Sequence, residues 1–494
     1  MAVKKQNQAL RALNKAPTGI SGLDEITEGG LPQGRPTLIA GNAGCGKTLM
    51  AMEFLIKGIT ENNEPGVFVS FEEPVKDLIQ NVASLGYNLN TFIKQKKLRI
   101  DHVQVERSEI EETGEYDLEG LFIRLGYAID SIGAKRIVLD TLESLFSGFD
   151  NGAILRAELR RLFQWLKDKG MTAVITGERG NSSLTRQGLE EYVSDCVILL
   201  DHRIEDQIST RRLRIVKYRG STHGTNEYPF LIDEDGITVM PVTSLNLNHP
   251  VLSKRISSGI PELDTMLGGG FYKSSSILLS GTAGTGKTNV AGNLVNDTCE
   301  SGDKCLYIAF EESPQQVIRN LHSIGIDLNK HVQKDLLQFR AVRSSSQGLE
   351  MHLATLYKII KEYKPAVVVM DPITTLASSG TQKDVQIMLS RMMDMLKAEK
   401  ITCLLTSLTQ GSDYLEQTEN SVSSFADTWL LLRDYEVNGE RNRLIYVLKS
   451  RGTNHSNQVR EFVISNEGIK LVEVYLGEEG MLTGTARLNA EARA

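Results

Sequence analysis

The chain carries one signature twice. TGISGLDEITEGG at 18–30 returns as SGIPELDTMLGGG at 258–270, and GNAGCGKT at 41–48 returns as GTAGTGKT at 281–288. Lys47 and Lys287 stand 240 residues apart. The offset persists downstream: VFVSFEEP pairs with LYIAFEES, RIVLDTLESL with VVVMDPITTL, and VKYRGSTH with LKSRGTNH, at spacings of 239, 231 and 232 residues. Such a period far exceeds the roughly 20–50 residues of a solenoid repeat, so it means two copies of a whole domain. A length of 494 residues accommodates them. The polar stretch 241–255, PVTSLNLNHPVLSKR, holds two prolines and reads as the linker. The first domain is expected over 1–240 and the second over 256–494.

Within each copy, short aliphatic and β-branched runs alternate with helical stretches. PTLIAG leads into a Gly-rich loop and then KTLMAMEFLIKGITE; GVFVSF, RIVLD and TAVITG follow, each bounded by polar segments. This pattern predicts an α/β fold, a mostly parallel sheet with helices on both faces, built twice. The hydrophobic fraction of 40% and charged fraction of 24% are those of a globular protein. No apolar run approaches the roughly 18 residues of a membrane span, and the N-terminus lacks the apolar core of a signal peptide. Five cysteines, Cys45, Cys196, Cys299, Cys305 and Cys403, show no metal-ligand spacing. Free thiols in a cytoplasmic protein are the expectation. A net charge of −7 argues against nucleic acid as the main partner.

Both G-x-x-x-x-G-K-T stretches fit a phosphate-binding P-loop. Gly41, Gly44, Gly46 and Gly281, Gly284, Gly286 let backbone N–H groups curl around phosphate; Lys47 and Lys287 reach its outer oxygens; Thr48 and Thr288 hold magnesium. Asp140 and Asp371 end apolar strands, where a second magnesium-positioning carboxylate belongs, or where an aspartate caps a turn. The pairs Glu72–Glu73 and Glu311–Glu312 close the strand after the P-loop helix. In an open parallel sheet that end faces the ligand, so one carboxylate of each pair is expected as a base and the other as its support, unless they are solvated turn residues. Lys217, Arg219 and His223, with Lys449, Arg451 and His455, lie at a later strand end. Alternation puts each Lys and Arg on one face, where two cations would clamp a γ-phosphate in their own or a neighbouring subunit, or merely edge the sheet in solvent. Cys45, inside the first P-loop, reads as a small tolerated residue.

QTENSVSSFADTW at 417–429 places hydroxyls before a buried run. At the 232-residue offset Asp427 faces Asp195, while Ser424 faces Tyr192 and Ser423 faces Glu191. A loop capping its own backbone would not require that difference between copies; a phosphoacceptor in one copy would.

The doubled domain, both P-loops, both FEE pairs, both RG-x-x-H strands and the serine pair together resemble the KaiC family of circadian-clock ATPases and autokinases, over roughly residues 15–470. The resemblance implies a RecA-like fold in each half, a homohexamer of two stacked rings, ATP between subunits, and magnesium. It implies a slow ATPase in the first copy, and in the second an autokinase that also returns phosphate to ADP. Ser423 and Ser424 become the phosphoacceptors, with Thr418 matching a third hydroxyl nearby. Glu72, Glu73, Glu311 and Glu312 become the catalytic glutamates, and Lys217, Arg219, Lys449 and Arg451 the neighbour's clamp. It also implies a KaiB-like partner on the first ring, near EIEETGEY at 109–116, a stretch that otherwise reads as an acidic solvated turn. Two departures stand out. LASSG at 376–380 offers Ser378 and Ser379 where the family has a basic residue, and the chain ends in NAEARA, from which no KaiA dependence is expected. The competing readings are a RecA/RadA-like DNA-dependent ATPase, which needs basic loops, and a nucleotide-gated scaffold without turnover. DHRIEDQISTRRLR at 201–214 has four arginines and is read as a solvated hairpin.

Overall fold

The computed structural model describes residues 13–83, 86–103, 119–143, 152–180, 185, 194–205, 208–241, 252–409, 422–437, 439–477, 480–485 and 487. The chain divides into two compact units, Met1–Ser244 and Leu245–Ala494.

The first unit is a nine-stranded sheet. Its strands are β1 (Pro36–Gly41), β2 (Gly66–Ser70), β3 (Leu98–His102), β4 (Arg136–Asp140), β5 (Thr172–Glu178), β6 (Cys196–Glu205), β7 (Ile208–Tyr218), β8 (Glu227–Asp233) and β9 (Gly236–Val239). They lie in the order β3-β2-β4-β5-β1-β6-β7-β8-β9. The run from β3 to β6 is parallel, and β7, β8 and β9 close the edge as antiparallel hairpins. All five residues of β4, RIVLD, are buried, as expected of a strand covered on both faces. The two-residue strand period splits the side chains between two cores. Ile39, Phe68, Val138, Val174 and Ile198 pack with Met50 and Phe54 of helix α1 (Lys47–Asn62). Leu38, Val67, Ile137, Ala173 and Val197 pack with Leu159 and Phe163 of α2 (Gly152–Asp168) on the other face.

The second unit repeats the plan with β10 (Ser276–Gly281), β11 (Cys305–Ala309), β12 (Leu337–Ala341), β13 (Val367–Asp371), β14 (Thr402–Leu408), β15 (Thr428–Val437), β16 (Glu440–Ser450), β17 (Arg460–Ser465) and β18 (Gly468–Glu473). The order β12-β11-β13-β14-β10-β15-β16-β17-β18 matches the first sheet strand for strand. Helix α3 (Lys287–Glu300) follows the second Gly-rich loop. Helix α4 (Gln382–Ala398) opens with a capping box between Thr381 and Asp384, which satisfies backbone N–H groups at its start. These are two tandem RecA-like P-loop domains. Among the described residues no helix is long and apolar enough to cross a membrane.

Candidate functional site

Each Gly-rich loop leaves the C-terminal end of the central strand and turns directly into a helix. Gly46 and Gly286 take left-handed backbone, at φ 102° and 98°, so the first helical N–H groups carry no side-chain cap. Gly44 and Gly284 also have positive φ, with open space where a Cβ would stand. At Gly41 and Gly281 a Cβ would collide with the carbonyl oxygens of Leu200 and Leu432, at 2.7 and 2.4 Å. The glycines are therefore required by strand contact on one side and by backbone conformation on the other.

Lys47 donates from Nζ to the carbonyls of Gly41 (2.9 Å) and Asn42 (3.0 Å), and Lys287 to those of Gly281 (2.9 Å) and Thr282 (2.7 Å). Both ammonium groups are buried and rest on their own loop. Burial lowers Lys287 to about 8 against the opposing pull of Asp371, Glu311 and Asp434. A desolvated cation at the mouth of an N–H cradle is suited to an anionic ligand.

The strand-end aspartates meet the P-loop threonines. Asp371 Oδ2 accepts from Thr288 Oγ1 at 2.8 Å and from the Tyr307 hydroxyl at 2.6 Å, while Thr406 donates to Oδ1. Asp140 accepts from Thr176 and Thr48; burial pushes its carboxyl up, against those donors and the charge of Lys47. Among the described residues no group of three or more His, Cys, Asp or Glu side chains can hold a metal alone. A magnesium ion here would take a threonine and aspartate edge plus phosphate oxygens and water, as that ion prefers. The surroundings fit such a group: Thr141 Oγ1 beside Asp140, and Thr374 and Thr409 Oγ1 in the second unit, are buried hydroxyls without a partner. Thr409 directly follows β14, its N–H bonded to the Gly281 carbonyl.

The glutamate pairs differ internally. Glu73 is held by Asn81 and donates its own backbone N–H to Ser70 Oγ at 2.9 Å; burial, then Asp140 and Asp77, raise its carboxyl. Glu72 is exposed and acts electrostatically on Asp140. Glu311 and Glu312 are both exposed, and Glu311 acts on Lys287. In the second unit Glu311 is the member that acts on Lys287, whereas in the first unit both Glu72 and Glu73 are coupled to Asp140.

The predicted cationic residues sit at the other end of the sheet from their own P-loop. β7 ends at Tyr218 and β16 at Ser450, one residue before each arginine. A β-bulge interrupts each register, opposite Val197/Ile198 and Trp429/Leu430, just before Lys217 and Lys449. Arg219 N–H bonds the Asp195 carbonyl and Arg451 N–H the Asp427 carbonyl, both at 2.8 Å. Lys449 Nζ donates to the Ser423 carbonyl at 2.8 Å, and Arg451 Nη2 to that of Ser424 at 3.0 Å. Asp427 is held at 2.8 Å by Lys397 of α4, as Asp195 is at 2.5 Å by Lys167 of α2. Burial would raise Asp427, but Lys397 and the Ser276 donors outweigh it and hold the carboxyl low. His223 and His455 each turn Nδ1 onto the next residue's carbonyl, at 2.9 and 3.0 Å.

The serines belong to this second cluster. Ser423 and Ser424 form a 3₁₀ turn with Val422. Asp427 N–H bonds the carbonyl of Ser276, the first residue of β10, and Ser276 Oγ bonds the Phe425 carbonyl. The P-loop leaves the last residue of that six-residue strand. At about 3.3 Å per residue, the serines and their own P-loop sit about 17 Å apart, at opposite ends of one strand. Carboxyl ends of the strands therefore carry the P-loops, and amino ends the serines and cations.

Other expectations resolve locally. Ser379 donates to the Ser344 carbonyl at 2.5 Å and Ser378 to that of Thr375 at 2.7 Å, so both tie down their own loop. All five cysteines are free and buried, and burial raises the Cys45 thiol. In the 201–214 hairpin, Arg203 pairs with Asp201 (2.6 Å) and Glu227 (3.0 Å), and Arg212 with Glu227 (3.2 Å), so these arginines are acid-paired. Thr418, Glu191, Tyr192, the 109–116 stretch and residues 488–494 lie outside the described residues. Sequence reasoning missed Tyr307, Thr176, Thr406, Lys167 and Lys397; the repeat alignment held a signal for Tyr307, which stands against Phe68.

Comparison with known proteins agrees with this geometry. The family model described as "ATPase: KaiC" matches residues 16–244 and again 256–475. The chain is 59% identical over 486 residues to the Circadian clock protein KaiC2 of Synechocystis sp., covering 98% of this chain and 86% of that protein. It is 38% identical over 490 residues to the Circadian clock oscillator protein KaiC of Parathermosynechococcus lividus, covering 98% and 90%. To the protein of that name from Synechococcus elongatus it is 37% identical over 488 residues, covering 98% and 94%. With two P-loops on two matching sheets and a family match over each, the chain belongs to the KaiC family of ATPases.

Proposed function

We propose that this protein is a magnesium-dependent, ring-forming ATPase, a homohexamer, whose second unit phosphorylates Ser423 and Ser424 of the neighbouring copy. The observation that carries the reading is the placement of P-loop and serines at opposite ends of β10. A chain whose acceptor lies about 17 Å from its own P-loop transfers phosphate only to another copy, and head-to-tail packing in a closed ring brings unlike ends together. Lys449 and Arg451 travel with the serines, so the acceptor edge of one copy supplies cations to the nucleotide of the next.

In this reading Lys287 and the loop N–H groups bind the phosphates, and Thr288 with Asp371 would hold magnesium, which offsets phosphate charge when bound. The serine oxygen bonds to the γ-phosphorus, the bond to the β,γ-bridging oxygen breaks, and ADP leaves. The serine proton passes to Glu311, the glutamate on the Lys287 side, with Glu312 as support. The reverse step returns phosphate to ADP. The first unit has Glu191 and Tyr192 in place of the serines. It uses water as acceptor, as a slow ATPase with Glu72 as base. The names of the relatives favour a clock-type role, with a KaiB-like partner on the first ring and a cytoplasmic setting.

The test is a mixing experiment read by peptide mass spectrometry after incubation with ATP and magnesium. Subunits carrying Ser423→Ala with Ser424→Ala cannot accept phosphate; Lys287→Ala subunits cannot donate it. Mixed rings should place phosphate on the Lys287→Ala chains. Label on wild type with none in the mixture would mean transfer within one copy, against this reading.

A further inference from the structure

We infer that Tyr307 is a positioning residue of the second nucleotide site, acting through Asp371, and that it separates the magnesium dependence of the second site from that of the first. The inference rests on reading the second P-loop as a nucleotide site.

Tyr307 lies in the middle of β11, between the neighbouring strands β12 and β13, and is fully buried. Its ring packs against Phe339 with centroids 5.2 Å apart. Its hydroxyl points along the sheet to Asp371 Oδ2 at 2.6 Å, the same oxygen that Thr288 reaches at 2.8 Å. Thr406 holds the other oxygen. Three donors thus fix one carboxylate, and each can be assigned a direction. A buried phenol beside a carboxylate remains protonated and must donate. With Oδ1 taken by Thr406 and Oδ2 shared, the Asp371 carboxylate cannot rotate without breaking two bonds. Thr288 then spends its single proton on Asp371, and the lone pairs of its oxygen face outward, toward the P-loop mouth. That is the orientation in which a threonine hydroxyl can ligate a cation.

The first unit lacks this third donor. Phe68 occupies the equivalent place in β2, as fully buried as Tyr307, and among the described residues Asp140 takes side-chain hydrogen bonds from Thr176 and Thr48. The same scaffold therefore carries one aspartate pinned from three sides and one pinned from two. A hydrogen bond to a charged group is strong enough to set about a tenfold difference in how readily the site accepts its cation.

The experiment uses full-length protein with Lys47→Ala, which silences the first site, and a fluorescent ATP analogue titrated with magnesium. Tyr307→Phe should raise the magnesium concentration for half-maximal binding by about tenfold, while analogue affinity in EDTA stays within about twofold. Combining Tyr307→Phe with Asp371→Asn should add no further shift, because the phenol acts through that carboxylate. A reciprocal Phe68→Tyr, read with Lys287→Ala, should lower the midpoint at the first site. A lowered midpoint for Tyr307→Phe would overturn the inference, since losing a donor leaves more charge on the carboxylate and electrostatics alone predicts that sign. An unchanged midpoint, or equal loss with and without magnesium, would overturn it too, the latter as a packing defect. Analogue that fails to bind even with Tyr307 intact would refute the nucleotide-site reading itself.

Discussion

The two P-loops share their left-handed glycines and differ in the side chains that surround them. Asp371 is held by two threonines and a tyrosine, Asp140 by two threonines. Around the first site stand further acids: Glu143 accepts the Glu178 N–H at 2.6 Å, and Glu178 pairs in register with Gly41 of the P-loop strand. Thr374 and Leu408 occupy those places in the second unit. At the far end of the sheet, the second unit carries Lys449 and Arg451 on the carbonyls of two serines, where the first has a glutamate and a tyrosine in sequence. Apart from the buried mid-strand exchange of Phe68 for Tyr307, these differences lie at strand ends or in the turns beyond them. End positions touch ligand or solvent and change more freely than positions packed on both faces.

The comparison breaks most directly at the lysines. Lys287→Ala should reduce phosphate on Ser423 and Ser424 at least about a hundredfold, as loss of a main phosphate-binding cation does. Lys47→Ala should leave that phosphate in place while removing hydrolysis by the first unit. Phosphopeptide quantitation with a steady-state ADP assay measures both, and equal loss of labelling in the two variants would mean that the sites are not separate.

A second contrast lies beneath the P-loop helices. Glu53 of α1 is buried, accepts the Ile237 N–H at 2.8 Å, and burial raises it to about 7; Asn293 stands in its place in α3. The folded carboxyl holds its proton at a pH where the unfolded one, near 4.5, has lost it. Stability of the first unit should therefore fall as pH rises from about 4.5 to about 7, by about 3 kcal/mol, and level off above. Glu53→Gln should flatten that slope, and the second unit should show none from this position. Trp165 and Trp429 lie one in each unit. Urea unfolding of the Trp429→Phe protein, followed by Trp165 fluorescence at pH 5 and pH 8, reads the first unit alone.

The smallest effect concerns a core pair. Trp429 donates from Nε1 to Ser280 Oγ at 2.7 Å, where the first unit has Val197 beside Ala40. Ser280→Ala leaves a half-buried indole N–H without its acceptor and should destabilise the second unit by about 1 kcal/mol. Ala40→Ser in the first unit should cost a similar amount for want of a partner. Chemical denaturation with Trp429 as reporter gives the first value.

Much of this was legible in advance. The P-loops, the strand-end aspartates and the glutamate pairs follow from local order, because each is set by a strand running into a turn or helix a few residues later. A mostly parallel sheet was implied by the alternating pattern, though its strand order and the three antiparallel strands at each edge were not. The cationic residues were recognised as a group, but their contacts were not: a bulge just before each lysine inserts one unpaired residue and leaves no mark in the alternation of side chains. Lys167 and Lys397 were invisible as members of the clamp, since they sit on a helix and read as ordinary surface charges. Glu53 was likewise hidden in an amphipathic helix.

By itself the sequence determined that this chain is one domain written twice, that each copy is a parallel α/β sheet, and that each carries a complete P-loop. Periodicity, glycine spacing and motif order are properties of neighbouring residues, and they need no partner from afar. Only the tertiary structure decided which residues separated by sixty positions or more meet: Tyr307 was brought to Asp371 by the pairing of β11 with β13, and the serines were carried to the foot of β10, away from their own P-loop, by the register of β15. The physical reason is that hydrogen-bonded register between strands is set by cooperative packing of whole sheet faces, and no local stretch of sequence encodes it.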